Sequence, residues 1–367
     1  MTRTMLLVGT SKGAFILDGD ADRSSWSIRG PLCEGWPIHD LQWDPATRSI
    51  YAGGGSIWYG PAVFRSDDLG TTWSHSSEGI TYGDDGPKIP TVWNVTPAHG
   101  SIYAGVEPAG LFRSDDGGAT WSHVAGLREH PSRPGWQPGA GGLICHTIVP
   151  HPSEAEKMWV AISAVGTFAT EDGGTTWEAR NRGVVDCNSP DPHPETGQCV
   201  HKLVMAAGQP ERFYQQNHCG VYRSTDGGRQ WQDISAGLVS EFGFVFGAHP
   251  RDPATGWVIP LSHPEEGRYA PGGSLGVWRT DDSGDSWQRH GDGRRLNFGR
   301  PRRAGDERHE RAGQDHGRHR SSQSRATVST PQIGGRFSAT TDHVSPSSTE
   351  PYSCPVLVPK KTPTGSR

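Results

Sequence analysis

One pattern of eight residues, Ser/Thr-x-Asp-x-Gly-x-x-Trp, occurs five times in this chain of 367 residues. The tryptophans that end the copies are 48, 56, 54 and 56 residues apart, and a degenerate sixth copy ends at Trp26. Internal repeats with a period near 50 residues are typical of propellers, solenoids and other arrays. The chain is therefore expected to fold as a series of similar units. The complete copies end at Trp73, Trp121, Trp177, Trp231 and Trp287.

Within each copy, the aspartate and the glycine are expected to build a tight turn. An aspartate side chain can accept hydrogen bonds from the backbone N–H groups of a turn, and glycine readily adopts a positive φ. Short apolar runs precede each turn, which predicts four antiparallel strands in each repeat. Such a unit is the blade of a β-propeller. The aspartates assigned this structural role are Asp68, Asp116, Asp172, Asp226 and Asp282.

The predicted fold is therefore all-β, a propeller of four-stranded antiparallel blades, with six blades visible and a seventh lost or degraded. Composition agrees, because 50 Gly and 29 Pro residues would break long helices. Residues 1–293 are assigned to the propeller. Residues 294–367 contain no Trp and carry a net charge of +8. They are predicted to form a basic low-complexity tail that is disordered or read in a shifted frame.

The repeated octapeptide resembles the Asp box of the bacterial neuraminidase repeat (BNR) superfamily, over roughly residues 6–293. That superfamily includes sialidases, xyloglucan-acting glycoside hydrolases, sortilin-type receptors and photosystem assembly factors. The resemblance implies a propeller whose Asp boxes are structural, and either action on a glycan or binding of a protein partner. Sialidases hold the sugar carboxylate with three arginines, the first in a Phe/Tyr-Arg-Ile-Pro motif. This motif is absent from the sequence, so true sialidase activity is not expected.

Charge and hydropathy exclude other classes of protein. Residues 1–293 carry a net charge of −13, which disfavours nucleic acid as a partner. No run of about 18 apolar residues and no secretory signal are visible, so we expect no membrane partner and a cytoplasmic location. A monomer is expected. Cys187 and Cys199 bracket a loop and could meet, but a reducing cytosol favours free thiols.

A ligand is expected at the rim opposite the Asp boxes, in a concave mouth. Aligning the repeats places His39, Trp93, His146, His201 and Phe244 at equivalent starts of inner strands. Exposed aromatic side chains suit the apolar faces of sugars; the alternative is that they fill gaps between blades. The other candidate ligand-binding residues on this rim are Trp36, Trp58, Tyr59, Trp136, Asn217, His218, Arg268 and Tyr269.

Hydrolysis of a glycosidic bond needs two carboxyl groups, about 5–5.5 Å apart for retention or about 6.5–9.5 Å for inversion. Glu107 and Glu265 are the catalytic candidates, because each lies in a loop expected to overhang the mouth. Asp186 and Glu34 are reserves, and the alternative for all four is an ordinary solvated carboxylate. The chain is thus predicted to bind a glycan and to hydrolyse it if the pair is suitably placed. A non-catalytic scaffold for a protein partner is the alternative function.

Four histidines raise a second alternative, a metal site. His39, His146, His201 and His218 are expected to point into one channel mouth. Neutral imidazoles that converge in this way can bind zinc or iron. Histidines that line a wet channel are the competing explanation, and no cofactor is predicted.

Overall fold

The computed structural model describes residues 4–290 and contains 23 β-strands and five short 3₁₀-helices in that range. The strands form six antiparallel meanders, here called blades 1 to 6. No helix in the described range is long and apolar enough to cross a bilayer.

The strand bounds follow the repeats. Blade 1 contains β1 (Thr4–Thr10), β2 (Gly13–Gly19) and β3 (Trp26–Leu32). Blade 2 contains β4 (Ile38–Asp44), β5 (Ser49–Ser56), β6 (Gly60–Ser66) and β7 (Ser74–Ser76). Blade 3 contains β8 (Thr91–Ala98), β9 (Ser101–Glu107), β10 (Gly110–Ser114) and β11 (Ser122–His123).

The remaining blades have the same plan. Blade 4 contains β12 (Cys145–Pro150), β13 (Met158–Ile162), β14 (Gly166–Thr170) and β15 (Glu178–Ala179). Blade 5 contains β16 (Val200–Ala206), β17 (Gln209–Asn217), β18 (Gly220–Ser224) and β19 (Gln232–Asp233). Blade 6 contains β20 (Gly243–Ala248), β21 (Gly256–Pro260), β22 (Val277–Thr280) and β23 (Gln288–His290). The 3₁₀-helices are Cys33–Gly35, Ala125–Leu127, Arg133–Gly135, Pro264–Glu266 and Pro271–Gly273.

Consecutive strands pair antiparallel within each blade. Blades 2 and 3 are joined into one eight-stranded sheet by the pairing of Gly55 with Thr91. The first strands of blades 2 to 6 contact one another in chain order, so they are the inner strands. The prediction of an all-β propeller with four-stranded antiparallel blades is confirmed. The number of blades in the complete ring stays a prediction.

Blade 1 has three strands in the described range. Trp26 opens β3, whereas box tryptophans such as Trp73 directly precede the fourth strand of their blade. β3 therefore takes the fourth position and β1 the second, and β1 contacts β4 as β5 contacts β8. An innermost strand of blade 1 is thus missing from residues 4–290. The predicted tail (294–367), the boundary at residue 293 and the predicted seventh blade lie outside the described residues.

The apolar core lies mainly between neighbouring blades. The box tryptophans of blades 5 and 6 also donate hydrogen bonds to the preceding blade. Trp231 Nε1 donates to the carbonyl oxygen of Arg180 at 2.8 Å, and Trp287 Nε1 donates to that of Ile234 at 2.7 Å. Each of these tryptophans therefore ties its own blade to the end of the preceding one.

The five Asp boxes share one hydrogen-bond pattern. Asp68 Oδ1 accepts from the backbone N–H of Thr72 and from Ser66 Oγ, both at 2.8 Å. Ser66 Oγ accepts from the N–H of Gly70 at 2.7 Å, and Gly70 has a φ of +85°. The equivalent backbone donors and side-chain acceptors pair in the other four boxes. The octapeptide thus forms a closed turn between the third and fourth strands.

Acid is expected to destabilise the chain through these boxes. Hydrogen bonds from the residue four positions further on lower the pKa of Asp68, Asp172 and Asp282 to about 2, from an ordinary value of 3.8. Folding therefore favours the ionised form. This contribution is complete above the ordinary pKa and is lost as the pH falls from about 4 to about 2. Urea unfolding midpoints measured over this range should fall steeply.

Asp172→Asn tests the origin of that acid sensitivity. Asparagine keeps an acceptor oxygen but does not titrate, so the variant should be less stable near neutral pH and should lose less on acidification. Glu129→Gln, at an exposed position outside the boxes, is the matched control. An identical pH dependence in the wild type and in Asp172→Asn would contradict the prediction.

Two cysteines form a disulfide, which corrects the expectation of free thiols. Cys187, in the loop after β15, is bonded to Cys219, in the turn between β17 and β18, with Cα atoms 6.0 Å apart. Cys199, the partner considered from the sequence, is a free thiol beside His201. The pairing depends on where blade 5 places its second turn, so loop length alone could not identify it.

Candidate functional site

Five inner strands carry a register shift at the same point, close to their start. In β4 the pairing with β5 passes over His39. Bulges of this kind re-aim side chains and are common beside active sites. The other four shifts pass over the residues that the repeats align with His39, namely Trp93, His146, His201 and Phe244.

Side chains at this bulge position contact the inner strand of the next blade. His39 of β4 stacks on Trp93 of β8, with ring centroids 4.1 Å apart and planes inclined by 20°. His201 of β16 approaches β20, where its Nδ1 lies 2.6 Å from the carbonyl oxygen of Gly243. The bulges therefore bring rings of neighbouring blades into contact in two places, His39 with Trp93 and His201 with Phe244.

Trp93 connects two of the predicted site residues, and we call His39, Trp93 and Glu107 the Trp93 group. The indole N–H of Trp93 donates to Glu107 Oε2 at 2.9 Å while the ring stacks on His39. All three side chains are partly exposed. The group therefore offers a ring face and a carboxyl oriented by that same ring.

The Glu107 carboxyl sits at the end of β9 in a partly buried setting. Burial raises its pKa, and the hydrogen bond from Trp93 acts in the opposite direction. Gly142, with a φ of +104°, packs against Oε1 at a point where a Cβ would overlap the carboxyl. A carboxyl with a raised pKa remains protonated to higher pH than an ordinary glutamate, so it can serve as a proton donor.

A buried carboxylate behind the Trp93 group was missed from the sequence. Asp40 accepts from Asn94 Nδ2 at 2.6 Å and from the backbone N–H of Val95 at 3.1 Å. Asp40 and Asn94 directly follow His39 and Trp93 in their strands, so this contact holds β4 and β8 in the register that stacks the rings. A charged residue within the apolar stretch of an inner strand was the available signal.

A second aromatic surface lies on blade 2, and we call Trp36, Trp58 and Tyr59 the Trp36 group. Trp36 stacks on Tyr59 with ring centroids 4.7 Å apart. Trp58 and Tyr59 are 86% and 60% exposed, in the turn between β5 and β6. Such a contiguous exposed aromatic surface is typical of an interaction site.

The Trp36 group and the Trp93 group occupy neighbouring segments. The N–H of Gly55, at the end of β5, donates at 3.0 Å to the carbonyl oxygen of Pro37, the residue after Trp36. Gly55 also pairs with Thr91, two residues before Trp93. The backbone of Gly55 is therefore bonded to the segments that carry both groups.

A third group lies on blade 5, at the start of β16 and in the turn between β17 and β18, and consists of Cys199, His201 and His218; we call it the Cys199 group. Cys199 Sγ lies 3.5 Å from His201 Nε2, and the ligand atoms of the three residues lie within 4.8 Å of one another. Cys199 was not a candidate from the sequence. His39 and His146 lie outside this group, so the four predicted histidines do not converge on one point.

Aromatic rings and one cation surround the Cys199 group. His201 stacks on Phe244 at 4.7 Å, and Phe242 packs edge-on to His218 at 5.0 Å. The guanidinium carbon of Arg268 lies 5.8 Å from the Phe244 ring centroid, which is within cation–π range. Arg268 thus packs against the rings of this group, and its role in ligand binding stays a prediction.

Three predicted ligand-binding residues are buried, which corrects their assignment to the rim. Trp136 is 4% exposed and packs in the core against Phe168. His146 is 3% exposed, with Nε2 at 2.9 Å from the carbonyl oxygen of Val200. Asn217 is fully buried at the end of β17. Trp136 and His146 are buried at contacts between blades, whereas Asn217 is buried within blade 5, where it pairs with Val200 and Gly220.

The two catalytic candidates lie on different blades. Glu265 is exposed on the 3₁₀-helix Pro264–Glu266 of blade 6, whereas Glu107 ends β9 in blade 3. Burial and the hydrogen bond from Trp93 are the influences that shift the pKa of Glu107. Tyr269 is 54% exposed near Glu265, Glu34 is exposed, and Asp186 precedes the disulfide. The geometry therefore singles out Glu107 among the predicted acids.

The chain is similar to known proteins in structure. No protein-family model matches the chain, and no curated protein is similar to it in sequence. The GH74 enzyme of Niastella koreensis matches with 19% identity, coverage of 77% of this chain and 42% of the enzyme, and a TM-score of 0.52. The GH74 xyloglucanase of Xanthomonas campestris matches with 19% identity, coverage of 79% and 44%, and a TM-score of 0.55. YCF48 bound to D1 peptide matches with 14% identity, coverage of 79% of each chain and a TM-score of 0.49.

The chain spans less than half the length of these GH74 enzymes. At such low identity, the likeness concerns architecture and carries no activity with it. It agrees with the meanders, the inner strands and the repeated turns described above. This chain is therefore a β-propeller that resembles the Asp-box type and shares its fold with GH74 enzymes.

Proposed function

We propose that this chain binds a neutral oligosaccharide along the Trp93 group and the Trp36 group. The observation that carries the proposal is a run of partly exposed aromatic rings beside one oriented, partly buried carboxyl, Glu107. Rings of this kind offer a flat apolar surface with a polar edge. The C–H faces of a sugar can stack on the rings while its hydroxyl groups bond to the carboxyl and imidazole.

The charge of the chain favours a neutral ligand. Residues 1–293 carry a net charge of −13, which repels anionic glycans and polyanions. The likeness to a GH74 xyloglucanase suggests xyloglucan oligosaccharides as the first probe. Glu107 would then either hold a sugar hydroxyl or, in a glycoside hydrolase-like reaction, act as the general acid.

Removing the aromatic surface should weaken binding. Trp93→Ala takes away both the ring and the hydrogen bond that orients Glu107, and Trp36→Ala takes away the support of Tyr59. Each should raise the Kd for xyloglucan oligosaccharides at least about tenfold, which corresponds to about 1.4 kcal/mol. Isothermal titration calorimetry with full-length protein measures this effect.

Ile28→Ala is the matched control, because Ile28 is an exposed apolar residue on the outer strand β3. Its affinity should equal that of the wild type. Failure of the wild type to bind any neutral oligosaccharide, or equal binding by all variants, would refute the proposal. Capture of a protein that Trp36→Ala abolishes would favour the scaffold function instead.

Glu107→Gln separates binding from hydrolysis. If the wild type releases reducing ends, this variant should still bind but lose about 10²–10⁴-fold in rate, the usual range for a general acid. Glu265→Gln is the comparison, since Glu265 is exposed and lies on blade 6. Equal rates for wild type and Glu107→Gln would remove Glu107 from a catalytic role.

A further inference from the structure

We propose that Cys199, His201 and His218 bind one zinc ion with an open fourth position. Within residues 4–290, this is the one set of three potential metal-ligating side chains whose ligand atoms all lie within 4.8 Å of one another. One thiolate and two imidazoles form a soft donor set that suits zinc and excludes magnesium and calcium, which require oxygen. The site is separate from the oligosaccharide surface proposed above.

The distances fit a tetrahedral ion. Zn–S and Zn–N bonds of about 2.3 Å and about 2.0 Å place a ligand sulfur and nitrogen about 3.5 Å apart. Cys199 Sγ lies 3.5 Å from His201 Nε2. The same distance also fits an S–H···N hydrogen bond. His218 adds a second imidazole whose ligand atom lies within 4.8 Å of the other two, and zinc would draw these atoms closer together.

The ligands are oriented by their surroundings. His201 Nδ1 lies 2.6 Å from the carbonyl oxygen of Gly243, and this bond directs Nε2 toward Cys199. An imidazole that ligates a metal usually donates its other N–H in this way. The backbone N–H of His218 donates to the carbonyl oxygen of Cys199 at 2.9 Å. The Cys187–Cys219 disulfide then anchors the residue after His218.

Acidic and basic side chains both lie near the group. Asp186 and Glu265 on the acidic side and Arg268 and His263 on the basic side all act electrostatically on His218. Burial raises the pKa of Cys199, and Arg268 acts in the opposite direction, so the bond to zinc itself must favour the thiolate. On binding, the Cys199 thiol loses its proton to solvent and the Zn–S bond forms, so the ion replaces one proton. Phe244 stacks on His201 and Phe242 packs edge-on to His218, so aromatic rings cover both imidazoles on one side.

The test uses full-length protein without a polyhistidine tag, treated with a chelator and kept free of reductant so that the disulfide persists. Calorimetric titration with Zn²⁺ should give one equivalent. Cys199→Ser and His218→Ala should each weaken binding more than about 100-fold, above the 10–100-fold loss typical of residues outside the ligand set. His193→Ala, at an exposed histidine in the preceding loop, should bind as the wild type does.

Cobalt substitution keeps the proposal testable if a variant fails to fold. Co²⁺ bound to the wild type should show a thiolate charge-transfer band and the visible absorption of a tetrahedral site. Cys199→Ser should lose the thiolate band, and circular dichroism verifies that each variant is folded. Absence of the thiolate band in the wild type, or Zn²⁺ affinity unchanged in Cys199→Ser, would overturn the proposal and leave a Cys–His hydrogen bond.

Discussion

Replacing Trp136 with alanine is expected to lower the free energy of unfolding by about 3–5 kcal/mol, the usual cost of truncating a buried tryptophan. The side chain is 4% exposed and packs 5.2 Å, centroid to centroid, from Phe168. Its indole N–H donates to Ser132 Oγ at 2.9 Å, and the Arg133 guanidinium lies 5.2 Å from its ring. The variant therefore loses apolar burial, one hydrogen bond and a cation–π contact together.

Trp58→Ala is the matched control, because the same side chain is removed from a position that is 86% exposed. Its stability should stay within about 0.5 kcal/mol of the wild type, as for most surface changes. Urea titrations followed by tryptophan fluorescence and circular dichroism compare the two variants. If Trp136→Ala were as stable as Trp58→Ala, the burial of Trp136 described above would be contradicted.

Trp136 also shows how far the sequence could predict the site. The Asp boxes were predictable because each turn closes within eight residues, through hydrogen bonds that depend on Ser66, Asp68 and Gly70 or their equivalents. Burial of Trp136 depends on a neighbouring blade, and no local pattern records that contact. The chemistry of the local turns therefore predicted the fold. It could not predict which side chains are buried between blades.

The aligned inner-strand positions illustrate the same limit more sharply. The repeat period was sufficient to place His39 and His146 at one equivalent position, and both do lie at register shifts. What each side chain does there depends on the next inner strand. His39 meets the Trp93 ring and stays partly exposed, whereas His146 meets a backbone carbonyl oxygen and is buried. The equivalent positions of two residues in the repeat therefore predicted where each residue lies in its strand. They did not predict what its side chain contacts.

Removing the Cys187–Cys219 disulfide is expected to cost about 3–4 kcal/mol, the chain-entropy estimate for a closed loop of this size. The two cysteines are 32 residues apart, and the bond joins the loop after β15 to the turn between β17 and β18. Cys187→Ser combined with Cys219→Ser should show this loss in urea titrations. Added reductant should destabilise the wild type to the same level and leave the double variant unchanged.

Thiol counting under denaturing, non-reducing conditions gives an independent check on the same bond. Of the six cysteines, Cys187 and Cys219 should react with an alkylating reagent after reduction and not before it. Six reactive thiols before reduction would instead support the free thiols expected from the sequence.

Because the bond flanks His218, the double variant should also lose Zn²⁺ affinity. Trp136→Ala, between blades 3 and 4, should lower stability without changing the Zn²⁺ affinity.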